Sequence, residues 1–179
     1  MPIYIALLRG INVGGNMLKM DRLREVCAKL GWKNVRTYVQ SGNIVFEARK
    51  NSAHWMRALE LRLDGECRLP VTVMVRTAEE MARVAARNPF LKEKGIDVKR
   101  LGVTFLQRSP EPAALKSLAV PGAGADRFVC AGSEIYLHCP GGFGETKLSN
   151  NAFERLLSLR ATTRNWNTVT TLSQMSAGH

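Results

Sequence analysis

Apolar residues in the first part of the chain follow the spacing of strands and helices in turn. Residues 3–8 form a continuous apolar run, which is typical of a central strand covered on both faces. The same spacing rules predict a helix at 20–30, strands at 35–39 and 44–46, a helix at 52–63 and a strand at 71–75. The order strand, helix, strand, strand, helix, strand predicts a ferredoxin-like (βαββαβ) subdomain over residues 1–77.

Residues 78–179 predict a second α+β subdomain that packs closely on the first. Thr77 and Glu80 form a T-x-x-E capping box that opens a helix. Later elements are a strand at 102–106, a helix begun by Ser109 and Pro110, strands at 127–130 and 134–138, a helix at 152–159 and a last helix from 166. The predicted fold class is therefore α+β, with two joined ferredoxin-like subdomains (βαββαβ and βαββα) and antiparallel or mixed sheets.

Composition indicates an ordinary folded protein with a strong positive charge. The 179 residues are 45% hydrophobic and 23% charged, and the formal net charge is +11 with a pI near 10.0. The Lys and Arg residues are spread along the chain with no block of like charges. Such a charge attracts nucleic acids, nucleotides and anionic metabolites. The alternative interpretation is that it serves solubility alone.

Several classes of site find no support in the sequence. The four cysteines form no C-x-x-C pair, and neither H-E-x-x-H nor G-x-S-x-G is present. We therefore predict no metal site and no cofactor, and the sequence leaves open whether the protein is an enzyme. It shows no signal-peptide pattern and no apolar stretch of the roughly 20 residues that span a membrane. We expect a reducing, cytoplasmic setting without membrane association.

A polar, glycine-rich segment, RGINVGG, begins at Arg9 directly after the first apolar run. Arg9 and Asn12 supply polar side chains, while Gly14 and Gly15 let backbone N–H groups approach a ligand closely. Lys19 stands just before the next helix, whose start adds a weak positive end. These features predict a phosphate or carboxylate site. The alternative is a structural turn in which Asn12 bonds to the backbone.

The first hairpin carries further polar residues at Gln40, Ser41 and Asn43. In a ferredoxin-like sheet the first and third strands are antiparallel neighbours, so the exit of one lies beside the entrance of the other. We expect the hairpin residues to converge with Arg9 and Asn12, within roughly 10 Å.

A second polar segment, ATTRNWNTV, begins at Ala161. Thr163 and Asn165 are both residues that cap helices, with Arg164 between them and Asn167 behind. Capping needs only one such residue, and the excess favours a second group of ligand-binding residues. The alternative is that one of them caps the last helix while the following tryptophan packs in the core.

Four motifs follow one another along nearly the whole chain: YIALLRGINVGG from Tyr4, QSGNIVF from Gln40, NPF from Asn88 and ATTRNWNTV from Ala161. Together they resemble the bacterial domain-of-unknown-function 1697 family. The resemblance implies a cytoplasmic α+β protein of two joined subdomains, and it supplies no reaction.

Two functional classes remain. The first is binding of a small anionic ligand, with or without catalysis, at a cluster of Arg9, Gln40 and Arg164. The second is binding of RNA or single-stranded nucleic acid on the first sheet, favoured by the charge and by the likeness of residues 3–8 to the first strand of RNA-recognition domains. The third strand lacks the paired aromatics that stack bases, so we expect nucleic-acid binding to be unspecific. A structural or scaffold role is the third alternative, and the oligomeric state stays open.

Overall fold

The computed structural model describes residues 1–12, 15, 17–39, 42–49 and 52–178, and the side chains of all of these except residues 52 and 53. Its strands are β1 (Ile3–Arg9), β2 (Lys33–Tyr38), β3 (Asn43–Glu47), β4 (Thr72–Thr77), β5 (Leu101–Leu106), β6 (Arg127–Ala131), β7 (Glu134–His138) and β8 (Ala161–Asn165). The α-helices are α1 (Met20–Lys29), α2 (Ser52–Cys67), α3 (Ala78–Ala86), α4 (Pro112–Lys116), α5 (Asn150–Leu157) and α6 (Trp166–Ser176). Two short 3₁₀ helices, Pro89–Lys92 and Val98–Arg100, precede β5. The fold class is α+β, as predicted.

The first four strands form an antiparallel sheet in the order β2-β3-β1-β4. β1 takes a central place because its apolar run gives buried side chains to both faces, with Ile5 and Leu7 on one face and Ala6 on the other. Leu7 lies opposite Asn43 of β3 and opposite Met74 of β4. The predicted antiparallel pairing of the first and third strands is confirmed.

Helices α1 and α2 pack on one face of this sheet. Leu23 of α1 and Leu59 of α2 are fully buried and share an apolar cluster with Tyr4 and Phe46. Trp32 stacks on Phe46 with the ring centroids 3.7 Å apart and the planes 8° from parallel. The two aromatic residues of β1 and β3 are therefore enclosed in the core.

The last four strands form a second antiparallel sheet with the corresponding order, β6-β7-β5-β8. Its strand β8 corrects the sequence prediction, which placed the start of a helix in this segment. Thr163 of β8 lies opposite Thr104 of β5, and Arg164 lies opposite Val103. β-Branched threonines suit a strand, and the pairing partner that decides between strand and loop lies far away in the sequence.

The starts of two helices test the capping predictions. The capping box of α3 is confirmed, because Thr77 N donates to Glu80 Oε2 at 2.8 Å and Glu80 N donates to Thr77 Oγ1 at 3.1 Å. The predicted start at Ser109 is wrong. α4 begins instead at Pro112, a first-turn proline whose fixed φ suits that position.

Contacts within the chain divide it into two compact units. One comprises Met1–Arg83 with Thr171–His179, and the other comprises Val84–Thr170. The predicted domain limits, 1–77 and 78–179, stay a prediction, since a compact unit is defined by contacts and a domain by its ability to fold alone.

Candidate functional site

The described residues of the loop after β1 combine left-handed backbone with a side-chain hydrogen bond. Gly10 and Gly15 have φ of 98° and 89°, and Asn12 has φ of 55°, so all three occupy the left-handed region that glycine and asparagine tolerate best. The Asn12 side chain accepts a hydrogen bond from Leu18 N at 2.8 Å. This bond gives Asn12 the role of a loop residue bonded to backbone. Gly14 lies outside the described residues.

The first hairpin adjoins this loop. Leu8 N donates to Gly42 O at 2.9 Å, and a Cβ on Gly42 would lie 2.7 Å from Ile11 Cδ1, so only glycine fits there. Asn43 is fully buried, and its Nδ2 donates to Tyr38 O at 2.9 Å, which ties the two strands of the hairpin together.

Of the other predicted residues in this region, Gln40 and Ser41 lie outside the described residues. Arg9 ends β1 and is half-buried, whereas Lys19 is exposed and precedes α1 without a side-chain capping bond. The described part of the region thus brings Arg9, Asn12 and Asn43 to one end of the sheet, with Lys19 at the start of the next helix.

In β8 the predicted residues are engaged inside the second sheet. Thr163 Oγ1 lies 2.7 Å from Thr104 Oγ1 and donates to Asn150 Oδ1 at 2.7 Å. Arg164 is buried, and its Nη1 donates to Thr162 Oγ1 at 2.7 Å and to Thr163 O at 3.0 Å. Burial lowers the pKa of the Arg164 guanidinium to about 10, so it still carries its charge at neutral pH.

The start of α6 is built by Asn165, and Thr163 takes no part in capping. Asn165 Oδ1 accepts a hydrogen bond from Thr168 N at 2.8 Å. The next residue, Trp166, is buried, as the capping alternative expected. One turn on, Thr170 Oγ1 lies 3.2 Å from Trp166 O and 3.0 Å from Asn167 O, both of which can accept its proton.

A cavity of about 500 Å³ opens at this helix start. Its lining residues come from the second 3₁₀ helix and from the junction of β8 with α6: Val98, Lys99, Asn165, Trp166, Asn167 and Thr170. The 3₁₀ helix is fixed by Asp97, whose Oδ1 accepts a hydrogen bond from Lys99 N at 3.0 Å. The size falls within the range of roughly 300–1,000 Å³ typical of small-molecule sites.

The polar groups of the cavity favour a negatively charged ligand. Lys99 is exposed and brings an ammonium group. Asn165 also lines the cavity; its Oδ1 accepts the hydrogen bond from Thr168 N, and the other end of the amide, Nδ2, is a hydrogen-bond donor. The described lining residues include no carboxylate.

Sequence reasoning found two of these lining residues, Asn165 and Asn167, and missed Lys99. No motif surrounds Lys99, which is one of 26 Lys and Arg residues spread along the chain. The one local signal is Asp97, which can cap a short helix and so fix where Lys99 stands.

Other kinds of site find no support in the described part of the chain. No group of three or more His, Cys, Asp or Glu side chains there is placed to hold a metal ion. No helix in that part is long and apolar enough to cross a bilayer. The predicted cluster of Arg9, Gln40 and Arg164 stays a prediction, because Gln40 is not described and the two arginines belong to different compact units.

Comparisons with known proteins agree with the motifs. No curated protein matches this chain. A solved structure of the conserved bacterial protein SP0830 from Streptococcus pneumoniae is similar over 99% of both chains, with 23% identity and a TM-score of 0.71. At that identity the likeness concerns the fold. The family model described as "Protein of unknown function (DUF1697)" matches residues 1–136, so the chain belongs to this family, as its motifs predicted.

Proposed function

We propose that the protein binds a small anionic ligand in the cavity at the start of α6. The observation that carries the proposal is the combination of one lysine and one asparagine amide in the lining of a cavity large enough for a metabolite. The positive end of α6 adds to the attraction for an anion. Binding is proposed without a reaction, because the described lining residues include no pair of nucleophile and base.

Thermal shift and calorimetry with inorganic phosphate, acetate, larger carboxylates and nucleotides test this proposal. Lys99→Met removes the charge of the cavity, whereas Lys94→Met removes one exposed charge outside the lining residues. We expect Lys99→Met to weaken binding of the preferred anion at least about tenfold, since a hydrogen bond to a charged group is worth about 1.5–3 kcal/mol. Equal binding by the two variants would refute the site.

We propose a second anion site at the loop from Arg9 to Gly15, supported by the left-handed φ of Gly10 and Gly15, a conformation typical of backbone that approaches an anion, and by the half-buried Arg9. In this proposal Arg9 pairs with a phosphate or carboxylate through its planar fork. Arg9→Ala should reduce anion-dependent stabilisation and leave the fold intact, while Arg49→Ala, an exposed arginine elsewhere in the same unit, should not reduce it. Equal anion-dependent stabilisation of wild type and Arg9→Ala would refute this second site.

Recognition of RNA by base stacking is the competing proposal, and burial argues against it. Tyr4 and Phe46 are 4% and 0% exposed, so neither offers a ring face to a base. On the opposite face of the same sheet, Ile5, Leu7 and Val45 are also buried. What supports nucleic-acid binding is the net charge of +11, which acts without sequence preference.

We propose that the protein works in a reducing, cytoplasmic compartment. All four cysteines are free, which suits such a compartment.

We also propose that each compact unit is a ferredoxin-like subdomain. The support is the shared element order and the corresponding strand orders β2-β3-β1-β4 and β6-β7-β5-β8.

A further inference from the structure

We infer that the ligand of the cavity at the start of α6 is a monocarboxylate with an apolar body, such as an aromatic or branched aliphatic acid. This inference rests on the proposed anion binding there and narrows its ligand class. Three features of the cavity support this inference: the number of cationic residues in its lining, the number and kind of its hydrogen-bond donors, and the apolar surface beside them.

The count of cations favours a single negative charge. Lys99 is the only cationic residue among the described lining residues. The next residue, Arg100, is not among the described lining residues, and its Nη1 lies beside Gly142, where a Cβ would be 2.7 Å away. A carboxylate brings one charge, whereas a phosphate monoester brings roughly −1.5 to −2 and a triphosphate more. The additional charge would enter the cavity without a partner, at a cost in desolvation.

The donors match the two oxygens of a carboxylate. Lys99 Nζ is a compact charge on a flexible stem that can reach one oxygen. Asn165 Nδ2 offers a donor whose direction is fixed, because its amide is anchored through Oδ1 to the first turn of α6. Two donors, one charged and one neutral, satisfy a carboxylate more completely than they satisfy a phosphate with three terminal oxygens.

The surface beside these donors favours a ligand with an apolar body. Val98 is 49% exposed although it is an aliphatic residue next to Lys99. Trp166 also lines the cavity, and Thr170 has its hydroxyl close to helix carbonyl oxygens that can accept its proton. At about 500 Å³ the cavity exceeds the needs of acetate or inorganic phosphate. A ligand that covers Val98 therefore gains apolar contact in addition to its charge pair.

Calorimetry with matched probes tests the inference: phenylacetate, its neutral amide, acetate, inorganic phosphate, AMP and ATP. We expect phenylacetate to bind at least about tenfold more tightly than each of the others. Lys99→Met should reduce phenylacetate to the affinity of the amide, and Lys94→Met should change nothing. Val98→Ser, at an exposed position that tolerates the change, should weaken phenylacetate severalfold and leave acetate unaffected.

The outcomes separate this inference from the proposal on which it rests. If phosphate, AMP or ATP binds more tightly than phenylacetate and depends on Lys99, the carboxylate class is wrong and anion binding at the cavity stands. If phenylacetate binds no better than acetate and both depend on Lys99, the apolar body is wrong and anion binding again stands. If no anion in the set shows Lys99-dependent binding, anion binding at the cavity fails as well.

Discussion

At the scale of single residues, Asn165 combines two tasks that one substitution can separate. Its Oδ1 caps α6 and its Nδ2 is the proposed ligand donor. Asp caps about as well as Asn, whereas Ala lacks the acceptor. Asn165→Asp should therefore keep the free energy of unfolding within about 0.5 kcal/mol of wild type, and Asn165→Ala should lower it by about 1 kcal/mol in urea titrations.

The same pair of variants should behave differently towards a ligand. Asn165→Asp places a negative charge beside the anion, and we expect it to weaken anion binding by more than about tenfold in calorimetry, since like charges repel. Asn165→Ala removes only one neutral donor and should weaken binding less. Unchanged anion binding by Asn165→Asp would mean that the side chain does not face the ligand.

Cys27 gives a prediction for alkaline pH. Burial raises the pKa of its thiol from 9.0 to about 12. Above pH 9 the unfolded chain loses this proton while the folded chain keeps it, so the contribution of the neutral thiol is full below about pH 9 and is lost as the pH rises towards 12. The free energy of unfolding, measured in urea from pH 8 to 11 with a reductant, should fall more steeply for wild type than for Cys27→Ala.

The difference between the two slopes isolates Cys27 from the other groups that titrate in this range. It should reach at most about 1.4 kcal/mol per pH unit, the value for one proton. Parallel slopes would show that the thiol is not held neutral by the fold.

At the scale of elements, the capping box of α3 is local and was predictable, whereas β8 was not. Thr77 and Glu80 satisfy each other's backbone N–H groups within one turn, so a single short stretch of chain carries all the information. β8 exists because Thr163 and its neighbours pair with β5, and nothing in ATTRN alternates between apolar and polar. Its polar residues suggested the start of a helix, but the helix begins only at Trp166, after the capping residue Asn165.

The candidate cavity shows the same division between local and distant information. Asn165 and Asn167 lie in one motif and were found from it, but Lys99 reaches the cavity from a 3₁₀ helix that is far away in the sequence. Spacing along the chain cannot reveal such a meeting. Asn43 and Thr163 were predicted as ligand residues, and the structure shows hydrogen bonds of their side chains inside a hairpin and a sheet. The sequence alone does not distinguish these two uses of a polar side chain.

The capping box also supports a prediction at this scale. Thr77→Ala should lower the free energy of unfolding by about 1 kcal/mol, and Glu80→Ala by somewhat less, because each removes one side-chain acceptor at the start of α3. The double variant should cost less than the sum, since the two bonds form one unit. Glu80→Gln keeps an acceptor, and Glu79→Ala removes an exposed charge in the same turn; both should have small effects in the same urea titrations.

At the scale of the whole molecule, the two sheets share a design that goes beyond strand order. The last strand of each sheet ends with an arginine followed by the residue that caps the next helix. These pairs are Arg76 and Thr77 in β4, and Arg164 and Asn165 in β8. Both arginines are buried. The sequence suggested a repeat only through element order, because the residues of the two halves differ. The correspondence between Arg76 and Arg164 can be recognised only once β8 is known to be a strand.

The net charge of +11 leads to the last prediction, on nucleic acid. We expect measurable binding of single-stranded RNA at low salt that does not depend on sequence. Its affinity should fall about 50-fold between roughly 50 and 200 mM salt if about four phosphates are neutralised, because each released counterion adds to the slope. Base stacking would add ~1–3 kcal/mol per base and would persist at the higher salt.

The variant that separates charge from stacking is Tyr38→Ala. Tyr38 lies in β2 and is half-buried, so it keeps some ring surface, whereas Tyr4 is enclosed and its loss would disturb the core. We expect Tyr38→Ala to bind RNA like wild type at both salt concentrations in fluorescence anisotropy titrations. Binding that survives 200 mM salt in wild type and is lost in this variant would establish specific single-strand recognition and displace small-anion binding as the best account of the protein.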